Sequence, residues 1–180
     1  MNQHILKNIS DPAVFEENRL PAHSDHLVYK NKAELLSGTS SLCYSLNGVW
    51  KFDYSINPSS TPDGFEALDY DCKNWDDIRV PAHIQMEGYD RPHYANVAYP
   101  WDGRQALKSG EVPTDFNPVG SYVKYFTLPN DFIKDSLILR FEGVESAAAI
   151  WLNGHYIGYC EDSFTPSEFD LTEYVVEGEN

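Results

Sequence analysis

The stretch AAAIWLNGHYIGYCEDSFTPSEFDLTEYVVEGEN, residues 147–180, decides the fold. Two short apolar runs, Ala148–Leu152 and His155–Tyr159, flank Asn153-Gly154. Asn-Gly tolerates the two positive φ angles of a type I′ turn, so the runs are predicted to fold back as a β-hairpin. A polar loop from Glu161 to Ser167 follows, then Phe169-Asp170-Leu171-Thr172, where Asp170 is placed to cap the next turn. Gly178-Glu179-Asn180 reads as the turn before a strand that this chain lacks.

Further strands lie upstream of the hairpin. In Val49-Trp50-Lys51-Phe52-Asp53-Tyr54 the aromatic residues alternate with polar ones, the mark of a half-buried strand. Ile78-Arg79-Val80 is a short strand closed by Pro81. Strand signals return at Ser121–Leu128 and Ser136–Gly143, where Leu137, Leu139 and Phe141 share one face against Ile138, Arg140 and Glu142. Little helix is expected. Many short strands with frequent turn signals predict an all-β sandwich of the jelly-roll kind.

Two regions depart from this pattern. Residues 1–40 hold few apolar residues and no sustained period, and Asp11-Pro12 and Leu20-Pro21 interrupt them. They are read as an extended N-terminal arm, with one or two helical turns between Lys30 and Leu36 ended by Gly38. Residues 41–180 form the sandwich domain. Within it, residues 82–118 make a long irregular stretch rich in Pro, Tyr and polar groups. A loop of that length in a compact domain is usually functional or packs on another domain.

Bulk properties narrow the function classes. The formal net charge of −15 repels nucleic acid and anionic membranes, so neither is expected as a partner. Cys43, Cys72 and Cys160 are too few and too scattered for a disulfide framework. The start lacks the apolar core of a signal peptide, and the longest apolar run, Ala147–Leu152, is too short to span a bilayer. A cytoplasmic location is expected. The many aromatic rings suit packing on a pleated face and also suit stacking on sugar rings.

No activity is readable from spacing alone. Glu142, Glu145, Glu161, Asp162 and Glu168 are available carboxylates, but nothing in their spacing pairs them as a glycosidase acid and nucleophile. There is no Cys/His cluster for zinc, and no phosphate-binding or nucleophile-elbow motif.

Three stretches together carry a resemblance. They are Leu46-Asn47-Gly48-Val49-Trp50-Lys51-Phe52, the run VPAHIQMEGYDRPHYANVAYP from Val80 to Pro100, and the closing hairpin through Pro166-Ser167-Glu168-Phe169-Asp170-Leu171. Together they resemble the N-terminal part of a large β-galactosidase of glycoside hydrolase family 2, and Asn18-Arg19-Leu20-Pro21-Ala22-His23 resembles that family's arm.

The resemblance implies a sugar-binding jelly roll that precedes immunoglobulin-like domains and a catalytic barrel. The barrel would carry both catalytic glutamates, so no catalytic residue is expected in these 180 residues. The sandwich is expected without its last strands. Asn96 matches the family's substrate-contacting Asn; an uncharged amide offers both donor and acceptor to sugar hydroxyls. Asn8, Asp11, Val14 through its carbonyl, and Glu161 match a Mg²⁺ site, with Asn8 and Glu161 standing where family members often carry Asp and Gln. Na⁺ is implied too, at an Asp beyond Asn180. The implied activity is retaining hydrolysis of terminal β-galactosides such as lactose, in an oligomer. The alternatives are a sugar-binding module without chemistry, or an arm that completes a partner chain.

Overall fold

The computed structural model describes residues 2–92, 96, 101, 105–108, 110–129, 132 and 136–180. Strands dominate. The chain divides into two compact units, residues 1–15 with 47–124, and residues 16–46 with 125–180.

The first unit is built on a three-stranded antiparallel sheet. Its strands are β2 (Gly48–Ser55), β3 (Asp76–Val80) and β4 (Val119–Val123), in the order β3-β2-β4. Trp50 stands opposite Ile78, and Phe52 opposite both Asp76 and Tyr122. The predicted alternation in β2 holds, with Phe52 only 1% exposed. Its ring packs against Tyr89 and Tyr122, with centroids 4.7 and 4.8 Å away. Gly120 makes room for it: a Cβ there would fall 2.8 Å from the Phe52 ring.

The same unit contains a helix that the arm's sequence did not suggest. Helix α1 spans Gln3–Ser10, and Asn2 caps it by accepting from the His4 amide. Ile5 and Asn8 are its buried residues, a pair three apart of which only one is apolar. Asp11, which precedes Pro12, ends it in extended geometry. The arm is therefore helical at its start, not extended throughout.

The second unit holds two sheets. In one, β1 (Glu16–Glu17), β7 (His155–Cys160) and β6 (Ala148–Leu152) run in the order β1-β7-β6. In the other, β5 (Ile138–Phe141) pairs with β8 (Ser167–Asp170). The β6–β7 hairpin has the predicted turn, with φ of 51° at Asn153 and 79° at Gly154. Asn153 also donates to the Tyr174 carbonyl and to Asn180 Oδ1. Leu128, Leu137, Ile150, Leu152, Ile157, Cys160, Phe169 and Leu171 form the core.

Several local expectations hold in this unit. Leu137 is buried and Ile138 exposed, as the two-face reading requires. Asp170 accepts from the Thr172 amide. Helix α2 (Lys32–Ser37) overlaps the expected helical turns and runs one residue further, capped by Asn31 and closed by Gly38 at φ 71°. Two strand readings differ by more than two residues. β4 ends at Val123, and Phe126 and Thr127 turn instead to meet Asn180 and Glu179, through paired backbone bonds of 3.0 and 2.8 Å between Phe126 and Asn180 and a bridge from Thr127 to Glu179. Ser167–Asp170, read as loop and turn, is strand β8.

Candidate functional site

The long stretch after β3 is fastened to the first unit's sheet at its start and to the residue after β2 at its far end. Near its start, Arg79 of β3 grips Glu87 through Nε and Nη2, the latter at 2.6 Å. That bond holds the Glu87 carboxyl below the ordinary carboxylate range. The Tyr89 hydroxyl donates to Asp76 at 2.8 Å while its ring packs on Phe52 and Tyr54. Burial, then the Asp76 carboxylate, push the Tyr89 phenol up to about 12. The Gly88-Tyr89-Asp90 segment turns through φ of 98° at Gly88 and 55° at Asp90. At the far end, the Asn117 amide donates to the Ile56 carbonyl at 2.9 Å.

Between these anchors lies a cleft of about 210 Å³, lined by Asp90, Arg91, Trp101, Gln105, Asp115 and Phe116. The Trp101 indole N–H donates to the Phe116 carbonyl at 2.7 Å, which sets the orientation of its ring. Gln105 donates to Thr114, and its Oε1 is buried without a hydrogen-bond partner among the described residues. Aromatic surface beside carboxylates, a guanidinium and an amide can bind a ligand with both apolar C–H faces and hydroxyls. The sequence reading selected none of these six as site residues. They come from three separated segments of the long stretch 82–118, whose length was the available signal.

Asn96 lies in sequence between Arg91 and Trp101. It sits in an exposed bend. Residues 93–95 and 97–100, which complete the motif around it, lie outside the described residues.

The proposed metal ligands occupy two places. Asn8 is 4% exposed in α1, and its Nδ2 has no hydrogen-bond partner among the described residues. Asp11 follows the helix. Its Oδ1 accepts from Ala13 and its carbonyl from Val14. A carboxylate, a backbone carbonyl and an amide oxygen are the hard donors that Mg²⁺ takes. Asn8 fits such a set with its amide turned so that oxygen replaces the unpartnered nitrogen. Glu161 follows β7, and its Oε1 accepts from the Tyr159 hydroxyl at 2.5 Å. Burial and that carboxylate drive the Tyr159 phenol far above its ordinary value. Glu161 keeps a second oxygen for another partner. Among the described residues, no three His, Cys, Asp or Glu side chains cluster as a metal site, and no helix is long and apolar enough to cross a membrane.

Comparison with known proteins places this architecture. The model of glycosyl hydrolases family 2, sugar binding domain, matches residues 43–180. The chain belongs to glycosyl hydrolase family 2. As a family 2 sugar-binding domain it is 56% identical over 173 residues to a β-galactosidase of Halalkalibacterium halodurans, covering 96% of this chain and 17% of that protein. It is 46% identical over 184 residues to the β-galactosidase large subunit of Latilactobacillus sakei, covering 96% of this chain and 29% of that one. The chain thus spans less than a third of the length of these curated relatives.

Solved structures agree on the fold. β-Glucuronidase 2 of Bacteroides uniformis matches 76% of the family 2 chain with a TM-score of 0.54 at 19% identity, over 13% of its own length. A β-glucuronidase from glycoside hydrolase family 2 matches 76% with a TM-score of 0.52 at 26% identity, again over 13% of its length. The fold class is the all-β sandwich.

Proposed function

We propose that this family 2 domain is the N-terminal sugar-binding part of a β-galactosidase that hydrolyses terminal β-D-galactosides such as lactose with retention. The observation that carries this reading is the 56% identity to a β-galactosidase across 96% of the chain. Retention calls for an acid/base and a nucleophile carboxylate about 5 Å apart. Both would come from a barrel outside these residues, so this domain's part is positioning. Asn96 would give its amide to galactosyl hydroxyls as donor and acceptor at once. The cleft beside Trp101 would add an aromatic wall and the carboxylates of Asp90 and Asp115.

Mg²⁺ belongs to the same proposal, with Asn8, Asp11 and the Val14 carbonyl as ligands in α1 and the turn after it, and Glu161 as a ligand after β7. When bound, the ion would supply a fixed positive charge that orders these oxygens. Na⁺ stays a proposal without a ligand in this chain. The partners would be the remaining domains or a second subunit, in an oligomer inside the cytoplasm. The relatives named as large subunits support the subunit reading.

The test is a chimera in which this chain replaces the matching segment of the Halalkalibacterium halodurans enzyme. Chromogenic β-galactoside should be hydrolysed by the chimera and not by the 180 residues alone. Asn96→Ala in the chimera should lower kcat/KM by about 10- to 100-fold, the loss of one or two hydrogen bonds to substrate. Turnover by the isolated chain, or an Asn96→Ala chimera at full kcat/KM, would overturn the reading.

A further inference from the structure

His23 occupies an unusual hydrogen-bonding position in the second unit. Its Nδ1 lies 2.8 Å from the Ser24 carbonyl and its Nε2 lies 2.8 Å from Glu168 Oε2. Both partners are oxygen acceptors. A neutral imidazole carries a single N–H and can satisfy just one of them, whereas an imidazolium satisfies both. Here the protonation state decides whether both contacts are made at once.

The Glu168 contact joins residues 19–26 to β8 and the loop before it. The Leu20 amide donates to the Glu168 carbonyl at 2.8 Å. The Arg19 side chain, 8% exposed, donates from Nη2 to Thr165 Oγ1 and the Pro166 carbonyl. Arg140 of β5 reaches Glu168 Oε1 at 3.3 Å and Asp25 at 2.9 Å, and is held on its other side by Glu142. His26 stacks obliquely on His23, 4.8 Å between centroids, with its own Nδ1 3.1 Å from the same Ser24 carbonyl. The guanidinium groups keep their charge across the accessible pH range. The histidines are the groups whose ordinary titration falls near neutrality.

We propose that His23 is a pH-operated clamp that fastens residues 20–26 to strand β8, closed when the ring is protonated and slack when it is neutral.

The electrostatics agree with the geometry. The Ser24 carbonyl, then the hydrogen bond and charge of Glu168, raise the His23 pKa above its ordinary 6.5, against desolvation and the opposing charge of Arg140. A cation favoured by folding contributes its stabilisation in full below the unfolded pKa. The contribution is lost as pH rises through the folded one. The clamp therefore holds below the ordinary histidine value and loosens as pH rises through the raised folded-state one. The Arg19 contacts to Thr165 and Pro166 remain, so loosening stays local to residues 20–26 and includes the Leu20 amide bond.

The test uses the full chain and two readouts. NMR titration of the His23 ring, assigned by its loss in His23→Gln, should give a midpoint above 6.5, and Glu168→Gln should lower it. Amide hydrogen exchange at Leu20, corrected for intrinsic rate, should accelerate from about pH 6 to about pH 9, near the span over which His titrates. The gain should be about tenfold for each unit by which folding raises the pKa. In His23→Gln the corrected rate should be flat. A wild-type midpoint at or below 6.5, or the same pH response in His23→Gln, would overturn the clamp.

Discussion

The two compact units solve opposite problems. The second packs eight buried residues, from Leu128 to Leu171, into one continuous core, with Tyr159 and Phe169 fully enclosed. The first has a smaller interior, Ile5, Cys72 and Ile78 with Phe52 packed against Tyr89 and Tyr122, and devotes much of its chain to an irregular stretch pinned at its ends. One spends its residues on interior, the other on surface. Ligand-binding residues concentrate on loops held by a rigid frame, because a buried loop would strand its backbone polar groups. The first unit's cleft and Asn96, the proposed sugar contacts, lie on the loop side of that division.

Substitutions can break or sharpen the contrast. The largest effect is expected at Phe169, 0% exposed in the second unit's core. Phe169→Ala should lower unfolding stability by about 3–5 kcal/mol in chemical denaturation, the cost of a cavity that neighbours fill only in part. Gly158→Ala comes next. A Cβ there would fall 2.6 Å from both the Glu17 carbonyl and the Phe169 ring. One of these neighbours is backbone, so β1 must shift away from β7. The expected loss is about 1–3 kcal/mol, with faster amide exchange along β1. At the other extreme, Arg91→Ala on the exposed edge of the first unit's cleft should change stability by no more than about 0.5 kcal/mol. A large loss at Arg91, or tolerance at Phe169, would erase the distinction between frame and surface. Asn96→Ala divides the same way, with stability kept and kcat/KM lowered in the chimera.

Much of the fold was legible because its signals are local. Asn153-Gly154 specifies its turn through two consecutive φ values, and the β2 alternation places Phe52 inward without reference to anything distant. Helix α1 was missed because one of its two buried residues is the polar Asn8, which breaks the apolar period that marks a helix. Strands β1 and β8 were missed for a related reason. Glu16-Glu17 has no apolar residue, and Ser167-Glu168-Phe169-Asp170 has one. They are strands because β7 and β5 offer them backbone partners. Of the candidate site, Asn96 came from a motif, whereas the cleft came from segments up to 26 residues apart in sequence, Asp90 to Phe116.

The sequence alone therefore determined the strands with alternating apolar faces, the hairpin, the terminal cap of α2, and membership in a sugar-binding family through a long unbroken motif. The first three are short-range properties, set by φ/ψ preference and by which face of a strand avoids water. Tertiary structure alone decided that two glutamates form an edge strand, that Glu87 and Tyr89 tether a loop, and that His23 faces two acceptors at once. Each depends on a partner many residues away or on a backbone oxygen with no side-chain code. The hairpin at residues 147–160 shows both halves of this: its turn is written in two adjacent residues, while the partner strand along its edge is invisible until the chain has folded.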